Sequence, residues 1–203
     1  MSRIVALIDG FNLYYAIDER REYHPFKWLN LQKLVQACVP KTDTIEEILY
    51  FTSLQLWLPE IAARHRLFIR ANEHFGVKAV YGEFRQRDRT CPLCEGQYRG
   101  REEKQTDVNI AIHLLRLAVQ DRYDTALVVT GDSDVLPAIR AVKGMYPTKR
   151  IRIAIPIGRE ANQLKQEADS YIRLKQMHLR SSMFGDEIDL GEGAKLVRPN
   201  TWR

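Results

Sequence analysis

Short apolar runs alternate with segments of helical periodicity along most of the chain. Residues 4–8 are continuously apolar, the pattern of a strand covered on both faces. Asp9-Gly10 closes that run. Residues 11–20 and 29–38 then read as helices, the second stopped by Pro40. Residues 46–53 predict a second strand. A long helix is predicted over 58–75, opening near Pro59 and stopping at Gly76, as proline favours the first helical turn and glycine the position past the last. Residues 77–84 predict a third strand, 126–129 a fourth and 151–155 a fifth. Between them lie an amphipathic helix over 104–120, with Val108, Ala111, Ile112, Leu115 and Val119 at three- and four-residue steps, and a helix over 134–143 ending at Gly144. A helix over 160–169 and a short strand over 171–174 complete the pattern. Residues 85–103 are expected to be a polar, arginine-rich loop.

Strands alternating with helices imply an α/β fold with a parallel sheet, here of about five strands flanked by helices. The chain has 203 residues, which suits one domain over 1–180 with a C-terminal tail over 181–203 that packs back through Trp202. Apolar residues make up 45% and charged residues 28%, values of a folded globular chain that argue against disorder as the main state. No apolar run approaches the roughly 18 residues of a membrane helix. The run over 4–8 is too short for a signal-peptide core, so a cytoplasmic protein with no membrane partner is expected.

Charge adds a weak pointer. Lys plus Arg is 31 and Asp plus Glu is 26, a net +5 that permits a polyanionic partner without demanding one. Six basic residues (Arg85, Arg87, Arg89, Arg99, Arg101, Lys104) crowd the polar loop with Tyr98, diluted by four acids. Arg99, Arg101 and Lys104 are the candidates to grip phosphates, and a solvated charged loop is the plain alternative. A second basic cluster, Lys143, Lys149, Arg150 and Arg152, lies near the fifth strand. Cys91 and Cys94 have the spacing of half a zinc site. A closed site needs four ligands, so His74, His113 or a second chain would have to complete it. A metal-free pair of thiols is the favoured reading.

The chemistry concentrates in acids that follow strands. Asp9 ends the first, and Thr130-Gly131-Asp132-Ser133-Asp134 ends the fourth. Asp107 opens the helix leading into the fourth strand. Ligands of parallel sheets bind at the carboxyl ends of strands where the winding reverses. If strands one and four are neighbours there, Asp9, Asp107, Asp132 and Asp134 converge. Two unit charges about 4 Å apart repel by about 4 kcal/mol at an effective dielectric of about 20. Convergence therefore calls for protonation or a hard divalent cation such as Mg²⁺ or Mn²⁺. Taken singly, Asp132 or Asp134 is equally a helix cap, and Asp107 a favourable charge in a first helical turn.

Three segments, Ile8-Asp9-Gly10-Phe11-Asn12, Glu103-Lys104-Gln105-Thr106-Asp107-Val108 and Thr130-Gly131-Asp132-Ser133-Asp134, together resemble the NYN domains of the PIN-like nuclease superfamily, with the LabA-like branch the best match. The likeness runs from residue 3 to about 175, and the terminal Arg198-Pro199-x-x-Trp202 resembles that branch too. It implies a PIN-like three-layer fold with strand order 3-2-1-4-5. It implies a metal-dependent endoribonuclease in which Asp9, Asp107, Asp132 and Asp134 are catalytic and metal-binding, with Asn12 orienting Asp9 or touching substrate. Asp169 falls on a weaker acidic position of the family, or is a cap. The expected partner is RNA, single-stranded or in a loop. The alternative is a non-catalytic RNA- or protein-binding regulatory module, acting as a homodimer, that retains the cleft. A phosphatase of the haloacid-dehalogenase type fits less well, because its Asp-x-Asp pair belongs after the first strand. Neither a Gly-x-Gly-x-x-Gly turn nor a Walker-type loop is present.

Overall fold

The computed structural model describes residues 1–90 and 92–202, with backbone alone for Arg89 and Tyr98. Ten strands and seven α-helices are seen among them. In chain order they are β1 (Arg3–Asp9), α1 (Gly10–Asp18), α2 (Leu31–Cys38), β2 (Thr44–Thr52), α3 (Pro59–His74), β3 (Val77–Tyr81), β4 (Glu83–Thr90), β5 (Gln97–Lys104) and α4 (Thr106–Val119). There follow β6 (Thr125–Val129), α5 (Leu136–Met145), β7 (Arg150–Ile155), α6 (Asn162–Glu167), β8 (Ser170–Arg173), α7 (Gln176–Ser181), β9 (Glu187–Gly191) and β10 (Ala194–Val197).

The central sheet is parallel, with order β3-β2-β1-β6-β7-β8. The five strands expected from the sequence keep the order 3-2-1-4-5. The correction is that the sheet has six strands: residues 170–173 pair with β7 and extend it. Side chains alternate between the two faces of a strand. Ile4, Ala6 and Ile8 of β1 therefore join Leu13, Leu34 and Phe68 of α1, α2 and α3 in one core. Val5 and Leu7 join Ile110, Leu114 and Ile139 of α4 and α5 in the other. Helices thus cover both faces, giving three layers.

Two further expectations need correction. The arginine-rich segment is not a loop: β4 and β5 form an antiparallel hairpin. The third strand accordingly stops at Tyr81, and Glu83 and Phe84 belong to the hairpin. Polar alternation and many arginines hid the pattern, because a hairpin standing off the core need not carry a continuous apolar face. The buried face of α4 is also different. Ile110, Leu114, Leu117 and Ala118 are covered, whereas Val108, Ile112 and Val119 are exposed. This helix has apolar residues nearly all round, so periodicity alone did not select the side that meets the sheet.

Local signals placed some helix ends and not others: α5 starts at Leu136 and runs through Gly144 to Met145, and α6 is shorter than the expected 160–169. Asp9 and Asn30 cap α1 and α2 by accepting backbone N–H bonds, and Pro59 opens α3. Gly76 follows α3 with φ +83°, a left-handed conformation that glycine adopts without strain. At the C-terminal end, β9 and β10 form a second hairpin. Trp202 is buried against Trp28 and Phe68. No helix among the described residues is long and apolar enough to cross a membrane.

Candidate active site

Strand order reverses between β1 and β6, which lie side by side with Ile8 opposite Val129. Their carboxyl ends carry Asp9 and the Thr130–Asp134 turn. Asp9 is buried, and its two oxygens have separate partners. Oδ1 accepts the Asn12 backbone N–H at 3.0 Å, and Oδ2 accepts the Thr130 hydroxyl at 3.0 Å. The same Thr130 oxygen accepts the Asp132 backbone N–H at 3.0 Å. Asn12 Oδ1 accepts the Gly131 N–H at 2.9 Å. Thr130 and Asn12 therefore lock the first turn of α1 to the turn after β6. Gly10 is required by close approach, since a Cβ there would stand 2.6 Å from the Phe51 carbonyl oxygen.

The other acids enter from neighbouring elements. Asp132 is half-buried, caps the short 3₁₀ turn Ser133–Val135 and accepts the Asp134 N–H at 3.0 Å. Asp134 is exposed on that turn. Asp107 is half-buried in the first turn of α4. Gln105, just before this helix, has φ +79°, an uncommon conformation for a residue with a Cβ. Glu103 pins the same corner, accepting from Thr106 N at 3.2 Å, from the Thr106 hydroxyl and from Ser53 Oγ at 3.2 Å.

The acids share one electrostatic environment. Burial pushes the Asp9 carboxyl up to about 6, and the charges of Asp107 and Asp132 push it the same way, against the opposing bonds from Asn12 and Thr130. Asp107 is raised by burial first, then by Asp132, Glu103 and Asp134. No cation figures among the groups that shift either acid. Among the described residues no three Asp, Glu, His or Cys side chains stand close enough together to hold an ion. The donor set nonetheless fits a hard divalent cation, for every donor is a carboxylate oxygen and Mg²⁺ commonly takes one or two carboxylates while keeping water. Asp9 and Asp132, joined through Thr130, are the pair that would hold it.

The other candidates lie further out. Arg99 pairs with Asp88 at 3.7 Å and Lys104 with Glu102 at 3.0 Å, both on the hairpin. Arg101 stacks over Trp57, its guanidinium carbon 4.2 Å from the ring centroid. Asp169 sits at the far end of the sheet, accepting the Ile151 N–H at 2.7 Å and facing Lys143 at 3.5 Å, so it does not reach the cleft. Cys94 is an exposed free thiol, and Cys91 lies outside the described residues.

Sequence reasoning missed three contributors. Thr130 was visible in its motif but gave no hint of bridging two acids. Glu103 was counted only as a diluting charge of the loop. Arg159, after β7, packs so closely that a Cβ on Gly131 would meet its own Cβ at 3.1 Å. No local pattern marks it.

The sequence profile of the NYN domain matches residues 3–175. The chain belongs to the NYN domain family. This places it in the PIN-like nuclease superfamily, whose three-layer fold it shares. The NYN chain is 21% identical, over 86% of its own length, to the 6-hydroxy-3-succinoylpyridine 3-monooxygenase HspA of Pseudomonas putida, and spans 66% of that protein, just under two thirds. Its fold resembles the crystal structure of a Vibrio parahaemolyticus protein of unknown function, with TM-score 0.61, 16% identity, and coverage of 90% of this chain and 96% of that one.

Proposed function

We propose that this NYN domain is a Mg²⁺- or Mn²⁺-dependent endoribonuclease that hydrolyses single-stranded or looped RNA at the acidic cleft. The observation that carries this reading is the tie that Thr130 makes between Asp9 and the Asp132 turn at the carboxyl ends of the neighbouring strands β1 and β6. When bound, a hard divalent ion supplies charge neutralisation at the phosphodiester and a more acidic water. The chain's own residues then have separate tasks. Thr130 and Asn12 hold Asp9 in one orientation and fix the spacing between the two turns. Asp107, half-buried and raised, holds or accepts the proton of the attacking water. Arg101 and Lys104 on the hairpin contact the strand backbone beyond the cleft. Water attack at phosphorus with departure of the 3′ oxygen leaves a 5′-phosphate and a 3′-hydroxyl.

The Pseudomonas relative is named for oxygen transfer to a pyridine. At 21% identity that activity is not carried over to this chain. The test is cleavage of labelled single-stranded RNA in Mn²⁺, with Asp132→Asn as the comparison. The expected result is a loss of at least about 100-fold in the variant, as for removal of a group acting on the transition state. Equal cleavage by both proteins removes the mechanism. Tight RNA binding without turnover, unaffected by Asp9→Asn, favours a non-catalytic module instead.

A further inference from the structure

Behind the first turn of α1, on the side away from the acids, lies a cavity of about 270 Å³ between α1 and α3. Leu13, Tyr50, Phe68 and Trp202 form its apolar walls, and Tyr14, Tyr15 and Ile61 its partly exposed mouth. Beside the Asp18–Lys27 ion pair, Thr52 and Gln55, which also line it, His65 and Arg64 converge on this space. The His65 Nε2 lies 3.2 Å from the Thr52 hydroxyl and 3.4 Å from the Tyr50 hydroxyl. Arg64 is half-buried at the cavity and makes no hydrogen bond or ion pair among the described residues, its field being felt by the Tyr14 phenol. A mostly apolar enclosure with a few convergent polar groups is the usual make-up of a small-molecule site, and this volume falls just under the roughly 300–1,000 Å³ of such sites. It suits one flat ring system better than an extended cofactor.

Its position says which ring. Gly10 and Phe11 line the cavity, whereas Asp9 and Asn12 belong to the acidic cleft. One helical turn is thus the wall between the two. From the mouth a chain of rings leads outward: Tyr14 to Tyr15 at 5.5 Å, Tyr15 to Phe11 at 6.0 Å, Phe11 to Phe84 at 5.7 Å and Phe84 to Trp57 at 4.7 Å, ending at Arg101. Tyr15 and Phe11 are stacked and the other pairs meet edge to face, so the run offers rings at several angles beside a cationic group, and aromatic rings with a cation are the surface on which bases of a single strand stack. We propose that the cavity is a base-recognition pocket: one unstacked nucleobase of the substrate strand enters between α1 and α3 while the strand runs on past α1 to the acids and its neighbours stack along the ring chain. This rests on the nuclease reading of the cleft and deepens it. Burial holds the His65 imidazole down, near 4, so at neutral pH it is uncharged, and with Nε2 engaged by Thr52 and Tyr50 it is Nδ1 that meets a base edge. Arg64 supplies donors to a base carbonyl or to the adjoining phosphate.

The experiment is an abasic scan. Labelled single-stranded RNA hexamers, each lacking one base in turn, are titrated with the full chain by fluorescence anisotropy in Ca²⁺, with strand length checked on a gel afterwards. Wild type is expected to show one position where loss of the base weakens binding about 10-fold, within the range of a single stacked base. Ile61→Trp, which narrows the mouth, and Arg64→Ala should each weaken binding of the intact strand and abolish the penalty at that position. No penalty at any position, or a penalty unchanged in both variants, overturns the pocket. Cleavage in Mn²⁺ is scored separately. A wild type that cuts but has a flat abasic profile loses the pocket and keeps the nuclease, and one that shows the pocket signature without cutting loses only the nuclease.

Discussion

Asp9 stands where its charge costs the most. Its native pKa is raised to about 6, chiefly by burial, so ionising it opposes folding. The contribution that favours folding is complete below the unfolded value of about 4 and is lost as pH rises through 6. Asp9→Asn should therefore stabilise the chelator-treated protein by about 1–3 kcal/mol at pH 7.5, with the gap closing below pH 4. Urea denaturation at the two pH values measures it, and a variant less stable at pH 7.5 contradicts the assignment. Thr130 offers a second test. Its hydroxyl bonds Asp9 and receives the Asp132 amide. Thr130→Val should cost about 1–3 kcal/mol through the unpaired groups it leaves. Because that bond lowers the Asp9 pKa, its loss should also move the acid limb of any pH–rate profile upward, which a purely structural role would not do. Both predictions concern residues whose types were legible in the sequence. Their partners were not, since Asp9 and Thr130 are 121 positions apart.

At the scale of elements, the hairpin shows what charge content leaves open. Its basic residues were expected on a loop; on the hairpin several are matched to neighbouring acids, as in Arg87 with Glu102 at 3.4 Å and Lys104 with Glu102 at 3.0 Å. Exposed pairs of this kind contribute little stability and are easily exchanged for a phosphate. Arg101 differs by its seat on Trp57, beside Phe84 and Phe11. Arg101→Ala is expected to weaken single-stranded RNA binding about 5- to 10-fold, as for a lost stacking cation, and Arg99→Ala less than about 2-fold. Equal effects in an anisotropy titration would mean that net charge alone governs binding. The α4 helix makes the same point about apolar residues. It carries two usable stripes, and the one that faces the sheet packs with Tyr123, whose hydroxyl donates to the Leu114 carbonyl at 3.2 Å.

For the whole molecule, the C-terminal segment is part of the same packed body. Trp202 closes the face formed by Trp28 and Phe68, and the Trp28 indole N–H donates to the Gly185 carbonyl at 2.8 Å. Truncation of a buried aromatic leaves a cavity and costs about 3–5 kcal/mol. Trp202→Ala should lower the urea midpoint accordingly. A shift of under about 1 kcal/mol would make the segment dispensable. The residue also walls the cavity behind α1, which links the end of the chain to the proposed base pocket.

The sequence by itself determined the alternation of strands and helices, the parallel sheet, the proline start and glycine stop of α3, and the presence of acids after β1 and β6. Each of these follows from residues close together in the chain, where apolar runs, caps and turn residues act locally. Tertiary structure alone decided that residues 170–173 extend the sheet, that the arginine-rich segment pairs with itself, and which side of α4 is covered. It also decided that Thr130 ties Asp9 to the Asp132 turn across the β1–β6 junction and that a cavity opens beside α1. Those features depend on pairings outside any one element, such as Thr90 with Gln97, Arg152 with Ser170 and Asp9 with Thr130, and side-chain order along a chain carries no distance across it.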